Sequence, residues 1–136
     1  MFFLISQKAH SFNFNETIEE YSAKNSGIVS AIYILNRCSG VFTYTSSMLL
    51  KEPGQYDKAM NLLKNSNKSI DFASKLYSKH HNTSYEKASE ISLNRMMKMD
   101  QMYREDAKEL FVKNGGYLTG HVIDDLGVCS ATLQGF

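Results

Sequence analysis

Three short clusters of turn-forming residues punctuate this chain, and few others interrupt it. They are Pro53-Gly54, His80-His81-Asn82 and Gly115-Gly116, and Pro53 is the only proline in 136 residues. Proline, glycine and asparagine end helices and form turns, so long periodic segments between such clusters read as helices joined by short connections. The first predicted helix runs over roughly 26–50, with Ile28, Ile32, Leu35, Cys38, Phe42 and Leu49 on one apolar face. The second, roughly 55–79, has Tyr56, Leu63, Ile70 and Tyr77 seven residues apart, with Ala59 and Ala73 three residues after two of them. That heptad spacing suits a shallow helix crossing. Thr83 and Glu86 are spaced as a capping box opening the third helix, whose stripe continues through Leu93, Met96, Met97, Tyr103, Ala107, Leu110 and Phe111. A fourth carries Leu118, Val122, Leu126, Cys129 and Leu133, weakened modestly by Gly127. Ahead of these, Asn15 is placed to cap a short helical turn through Tyr21, with Thr17 and Glu20 spaced as a second capping box.

No stretch alternates apolar with polar residues for long, so the class expected is all-α. Short connections favour an up-down-up-down four-helix bundle with a short N-terminal arm over Phe2 to Phe14. One domain over 12–136 suffices, because a chain of this length buries about two-thirds of its unfolded surface without needing a metal. The opening run Met1 to Ile5 is apolar and Ala9-His10-Ser11 is a small-x-small triplet, together resembling the tail of a signal peptide. The basic n-region is missing and the apolar run is short. Residues 1–11 are therefore read as the remnant of an export signal, or else as a mature N-terminal strand or arm. Export places the mature protein in the periplasm or outside the cell; without it the chain is cytoplasmic.

Charge favours neither of two partner classes. Fifteen basic against fourteen acidic side chains give a net charge of +1, which offers nothing to attract nucleic acid or an anionic membrane. Lys outnumbers Arg twelve to three. With abundant Asn and Ile this is the bias of an AT-rich coding sequence, so the lysines are not read as a binding patch. No run approaches the roughly 18 apolar residues that cross a bilayer.

Cys38 and Cys129 lie on the inward stripes of the first and last helices, which are adjacent in an antiparallel bundle. A bridge between them closes a loop of about 90 residues and stabilises by about 4 kcal/mol in the chain-entropy model. Two separate buried thiols are the alternative, and export favours the bridge. No Cys-x-x-Cys spacing exists to support thioredoxin-type redox chemistry or covalent haem.

Three groups of residues can carry function. His121 is followed by Asp124 and Asp125 at the i+3 and i+4 positions of one helical face, a trio able to orient a proton donor. Asp125 also falls close to the apolar stripe and, in the antiparallel arrangement, near Thr45; a buried carboxylate there needs partners. Arg37 sits beside Cys38 near the inward face, placed to pair with an acidic residue of a neighbouring helix or with a ligand carboxylate, the structural ion pair being the commoner use. Arg37, Thr45, His121, Asp124 and Asp125 thus form a candidate polar pocket. Met96, Met97, Met99 and Met102 crowd the third helix, with Met48 and Met60 nearby. Thioethers in such number can bind Cu(I), but more often they fill an irregular core or line an adaptable apolar groove. His80 and His81 are adjacent on an expected solvated loop. Glu-x-x-His pairs, a glycine-rich phosphate loop, a nucleophile elbow and a zinc-protease motif are all missing, so no metal and no cofactor is expected.

The segments Ile34-Leu35-Asn36-Arg37-Cys38-Ser39-Gly40 and Asp124-Asp125-Leu126-Gly127-Val128-Cys129 resemble small uncharacterised exported proteins of marine bacteria, over the first and last helices only. The resemblance implies a periplasmic helical protein with paired cysteines, and it transfers no catalytic residue. The function expected is a non-enzymatic binding or interaction module for a protein or a small apolar ligand, with self-association open. The rivals are a small enzyme or copper carrier using the His121 and Asp125 cluster or the methionines, and a cytosolic phage-type accessory protein with reduced thiols.

Overall fold

The computed structural model describes residues 14–114 and 120–135. Five helices occupy them: α1 (Ile18–Lys24), α2 (Ile28–Leu49), α3 (Tyr56–His81), α4 (Tyr85–Asn114) and α5 (His121–Gln134), with no strand among the described residues. The class is all-α, as the spacing predicts. Residues 1–11, Gly115-Gly116 and Leu118 lie outside the described residues, as do the side chains of Leu110 and Phe111.

α2 is the centre of the bundle. Every residue from Leu35 to Phe42 is buried, and so are Tyr44, Thr45 and Ser46. A helix buried nearly all round must be covered on several sides. Here α3 and α4 pack along most of its length, while α5 and the short α1 meet it over smaller patches. Gly27, with φ of 94°, turns the chain into α2, a conformation that favours glycine.

Of the expected heptad seam of α3, the two alanines are buried and the large residues are not. Ala59, Ser66, Ser69, Ala73 and Ser74 are buried, whereas Tyr56 is exposed and Leu63, Ile70 and Tyr77 are only partly covered. Small side chains face α2, so the backbones come close enough for hydroxyls to cross the seam. Ser46 donates to the Ala59 carbonyl at 2.7 Å, Ser66 donates to the Ser39 carbonyl at 3.0 Å, and Thr43 and Ser66 share a hydrogen bond of 2.7 Å. A comparable approach brings α2 to α4 at Gly40. A methyl group there would collide with Met99 Cβ and sit 3.0 Å from the Asp100 nitrogen. On α4 the buried positions among the described side chains are Ala88, Ser92, Tyr103, Asp106 and Ala107, while Leu93 and Met97 lie on the exposed side.

Capping departs from the spacing in two places. The Thr17 and Glu20 box forms, but Thr17 and not Asn15 is the N-cap. At the start of α4, Ser84 and not Thr83 caps the helix, its Oγ accepting from the Lys87 N–H at 3.1 Å. Thr83 instead closes the preceding turn, its N–H bonded to the Ser78 carbonyl at 3.1 Å and its carbonyl accepting from Ser78 Oγ at 2.6 Å. His80 and His81 belong to the last turn of α3, which ends at Asn82 in the left-handed conformation. The His81 ring packs one turn back against Tyr77, at 4.1 Å between centroids.

Candidate functional site

Two places in the fold hold the chemistry-bearing side chains. The first is a buried polar cluster around Arg37, where α1, α2, α4 and α5 converge next to the Cys38–Cys129 disulfide. α2 presents Arg37 one residue before Cys38, on its inward side. The bridge holds α5 against it, with the two Cα atoms 5.4 Å apart.

Arg37 is 1% exposed, yet each of its nitrogens has an acceptor. Its Nε donates to the Tyr103 hydroxyl at 2.9 Å and Nη1 to the Tyr33 hydroxyl at 3.3 Å. Nη2 donates both to the Glu16 carbonyl at 2.7 Å and to Asp125 Oδ2 at 2.7 Å. The Tyr103 hydroxyl donates to the same carboxylate oxygen at 2.5 Å. Asp125 Oδ1 accepts the Ile18 N–H at 2.8 Å, so the carboxylate also caps the first turn of α1, where unpaired N–H groups favour negative charge. Phe14 closes the cluster, its ring 3.9 Å from the guanidinium carbon and 4.5 Å from the Tyr103 ring. This satisfaction is what permits a charge pair in the interior, because an unpaired buried ion costs several kcal/mol.

Burial alone would lower the Arg37 pKa, but the nearby Tyr103, Asp125 and Tyr33 outweigh it and the value ends raised, so the guanidinium keeps its charge. Burial pushes the Tyr103 hydroxyl well above the ordinary phenol value; Arg37 pulls it down and Asp125 pushes it up. Above about pH 10 the unfolded chain loses this proton while the folded chain keeps it, so stability falls as pH rises toward the raised native value. The urea midpoint of the wild type is expected to drop between about pH 8 and about pH 11. Tyr103→Phe starts lower but drops less. Tyr85, raised through its hydrogen bond to Asp71, leaves a residual slope in both. An equally steep fall in the variant would remove Tyr103 as the titrating group.

The candidate polar pocket is thus divided. Arg37 and Asp125 meet as an ion pair, the structural use that the sequence allows. Thr45 is buried but is not a partner of Asp125, and its Oγ1 has no hydrogen-bond partner. Asp124 is exposed. His121 joins neither carboxylate of its own helix; its Nδ1 lies 3.1 Å from Asp106 Oδ2 of α4. The i+3 and i+4 trio fails because Asp125 turns into the core and Asp124 into solvent. Tyr103, Tyr33, Phe14 and Asp106 were not foreseen as site residues. Tyr103 was visible only as core, although a buried phenol needs a partner for its hydroxyl.

The second place is a groove of about 710 Å³ between α1, α2, α3 and α4. Tyr21, Tyr33 and Tyr77 supply aromatic walls, and Ile32, Met99 and Met102 supply an aliphatic and thioether lining. Tyr21 and Tyr33 pack ring on ring at 4.4 Å. Asn36, 1% exposed, reaches the groove from α2, and its Oδ1 has no hydrogen-bond partner. At the rim stand Arg95, Lys98 and His81, with the Arg95 guanidinium 5.2 Å from the Tyr77 ring centre. Of the four methionines singled out by the sequence, only Met99 and Met102 line this groove, and Met97 is exposed. Among the described residues no group of three or more His, Cys, Asp or Glu side chains is arranged to hold a metal ion. None of the described helices is long and apolar enough to cross a membrane.

No protein-family model, curated protein or solved structure matches this chain.

Proposed function

We propose that this protein is a non-catalytic binding module, exported to an oxidising compartment, that takes a small apolar ligand into the groove between α1, α2, α3 and α4. The observation that carries this reading is the groove itself. Its volume falls in the range of about 300–1,000 Å³ usual for small-molecule sites, and it combines apolar and aromatic walls with a few polar groups. Thioether side chains adapt to ligands of varied outline, which suits Met99 and Met102 to such a wall.

The polar cluster supports the non-catalytic half of the proposal. A general acid or base has to reach its substrate. Asp125 is fully buried, and both of its oxygens already accept hydrogen bonds from Ile18, Arg37 and Tyr103. Its role is to hold the fold together. The disulfide is consistent with an oxidising compartment, where such bonds persist.

A neutral apolar dye, N-phenyl-1-naphthylamine, tests the reading. Its fluorescence is expected to rise saturably with one site per chain, and Met102→Gln is expected to weaken binding by about tenfold, the loss for about 1.4 kcal/mol. Unchanged helical circular dichroism in the variant would show the fold intact. Absence of saturable binding to the wild type would end the proposal.

A further inference from the structure

The groove has a charge pattern that its apolar walls do not require. Arg95 and Lys98 of α4 and His81 of α3 stand around it, and no Asp or Glu is among its described lining residues. In a chain whose overall charge is only +1, that is a local excess of positive charge. Asn36 also lines the groove, and its side-chain amide oxygen Oδ1 is buried without a donor. Buried polar atoms are nearly always paired, and leaving one unpaired costs as much as a lost hydrogen bond. A site with an apolar body, a cationic rim and an unused buried acceptor is complementary to a molecule with three matching parts.

Resting on the groove-binding reading above, we infer that the ligand is an amphipathic carboxylic acid bearing a hydroxyl or amide N–H on its apolar body. The carboxylate meets Arg95 and Lys98 at the rim, where charge-assisted hydrogen bonds form. The chain lies along Ile32, Met99 and Met102, removing apolar surface from water. The hydroxyl or amide N–H satisfies Asn36 Oδ1. Tyr33 gives the site a fixed wall, because its hydroxyl is held by Arg37.

The test uses the full chain with its methionine methyl groups labelled with carbon-13, read by nuclear magnetic resonance. Three probes of equal chain length are titrated: 3-hydroxydecanoate, decanoate and 1-decanol. The Met99 and Met102 methyl signals are expected to move with all three, while Met60, on the exposed side of α3, stays still. Decanoate is expected to bind at least tenfold more tightly than 1-decanol, and 3-hydroxydecanoate several-fold more tightly than decanoate. Arg95→Gln with Lys98→Gln, both exposed positions, is expected to bring decanoate down to the affinity of 1-decanol without changing 1-decanol itself. Equal binding of acid and alcohol, or an acid affinity untouched by the double substitution, overturns the carboxylate assignment while leaving an apolar groove. No added affinity from the hydroxyl overturns the role of Asn36. Failure of all three probes to move either methyl signal overturns the groove as a ligand site altogether.

Discussion

Asp125→Asn is expected to be the most damaging conservative substitution in the chain, costing about 3–5 kcal/mol of stability. The amide keeps the size of the carboxylate but removes the charge that faces Arg37. A guanidinium that is 1% exposed is then left in the interior with neutral acceptors only. Against a total stability of about 5–15 kcal/mol for an ordinary domain, that loss threatens folding itself. Chemical denaturation of the purified variant is the measurement, and a loss below about 1 kcal/mol would show the ion pair to be solvated in solution. Replacing both partners with apolar residues often restores stability elsewhere. Here Arg37→Met with Asp125→Leu is expected to recover only part, because the Ile18 N–H, the Glu16 carbonyl and the Tyr103 hydroxyl lose their partners together.

Removing the disulfide is expected to cost as much. Cys38 and Cys129 are 91 residues apart in sequence, and by loop entropy a bridge of that span stabilises by about 4–5 kcal/mol. Cys38→Ala with Cys129→Ala is expected to lower the denaturation midpoint accordingly, with the helical spectrum preserved at low denaturant. Both sulfurs are fully buried, so reductant reaches them only when the structure opens. Reduction is therefore expected to be slow in native buffer and to accelerate steeply in denaturant. Mass analysis of protein from an oxidising compartment is expected to find it lighter by two hydrogens. Free thiols there would remove the disulfide and the export reading with it.

The cysteine pair was legible because both residues sit on strong helical stripes, and residues three and four apart share a face. The stripe of α2 was legible for the same reason: Ile32, Leu35, Cys38 and Phe42 are all buried. α3 was misread in part, because Ala59 and Ala73 of its heptad seam are buried. The large residues of that seam, Tyr56, Leu63, Ile70 and Tyr77, point to the same face, but Ser66, Ser69 and Ser74 allow a closer approach and share the interface with the two alanines. Periodicity reports a face only when bulk and burial coincide, and close-packed helices break that link. In the polar cluster, Arg37 and Asp125 were each marked as lying near the core, yet their meeting depends on a separation of 88 residues that no local pattern encodes. Ile18 reaches the same carboxylate across 107 residues. The groove was half legible. Methionine crowding drew attention to α4, but Tyr21, Tyr33 and Tyr77 come from three different helices and carry no joint signal in the chain.

Arg37 touches four separated stretches of the polypeptide: the segment from Phe14 to Glu16, its own helix, Tyr103, and Asp125. Peeling away either terminal stretch would wet that guanidinium and break contacts made by the other. The two ends of the described chain are therefore expected to exchange their amide protons as one cooperative unit, where a bundle joined only by side-by-side packing would fray from each end independently.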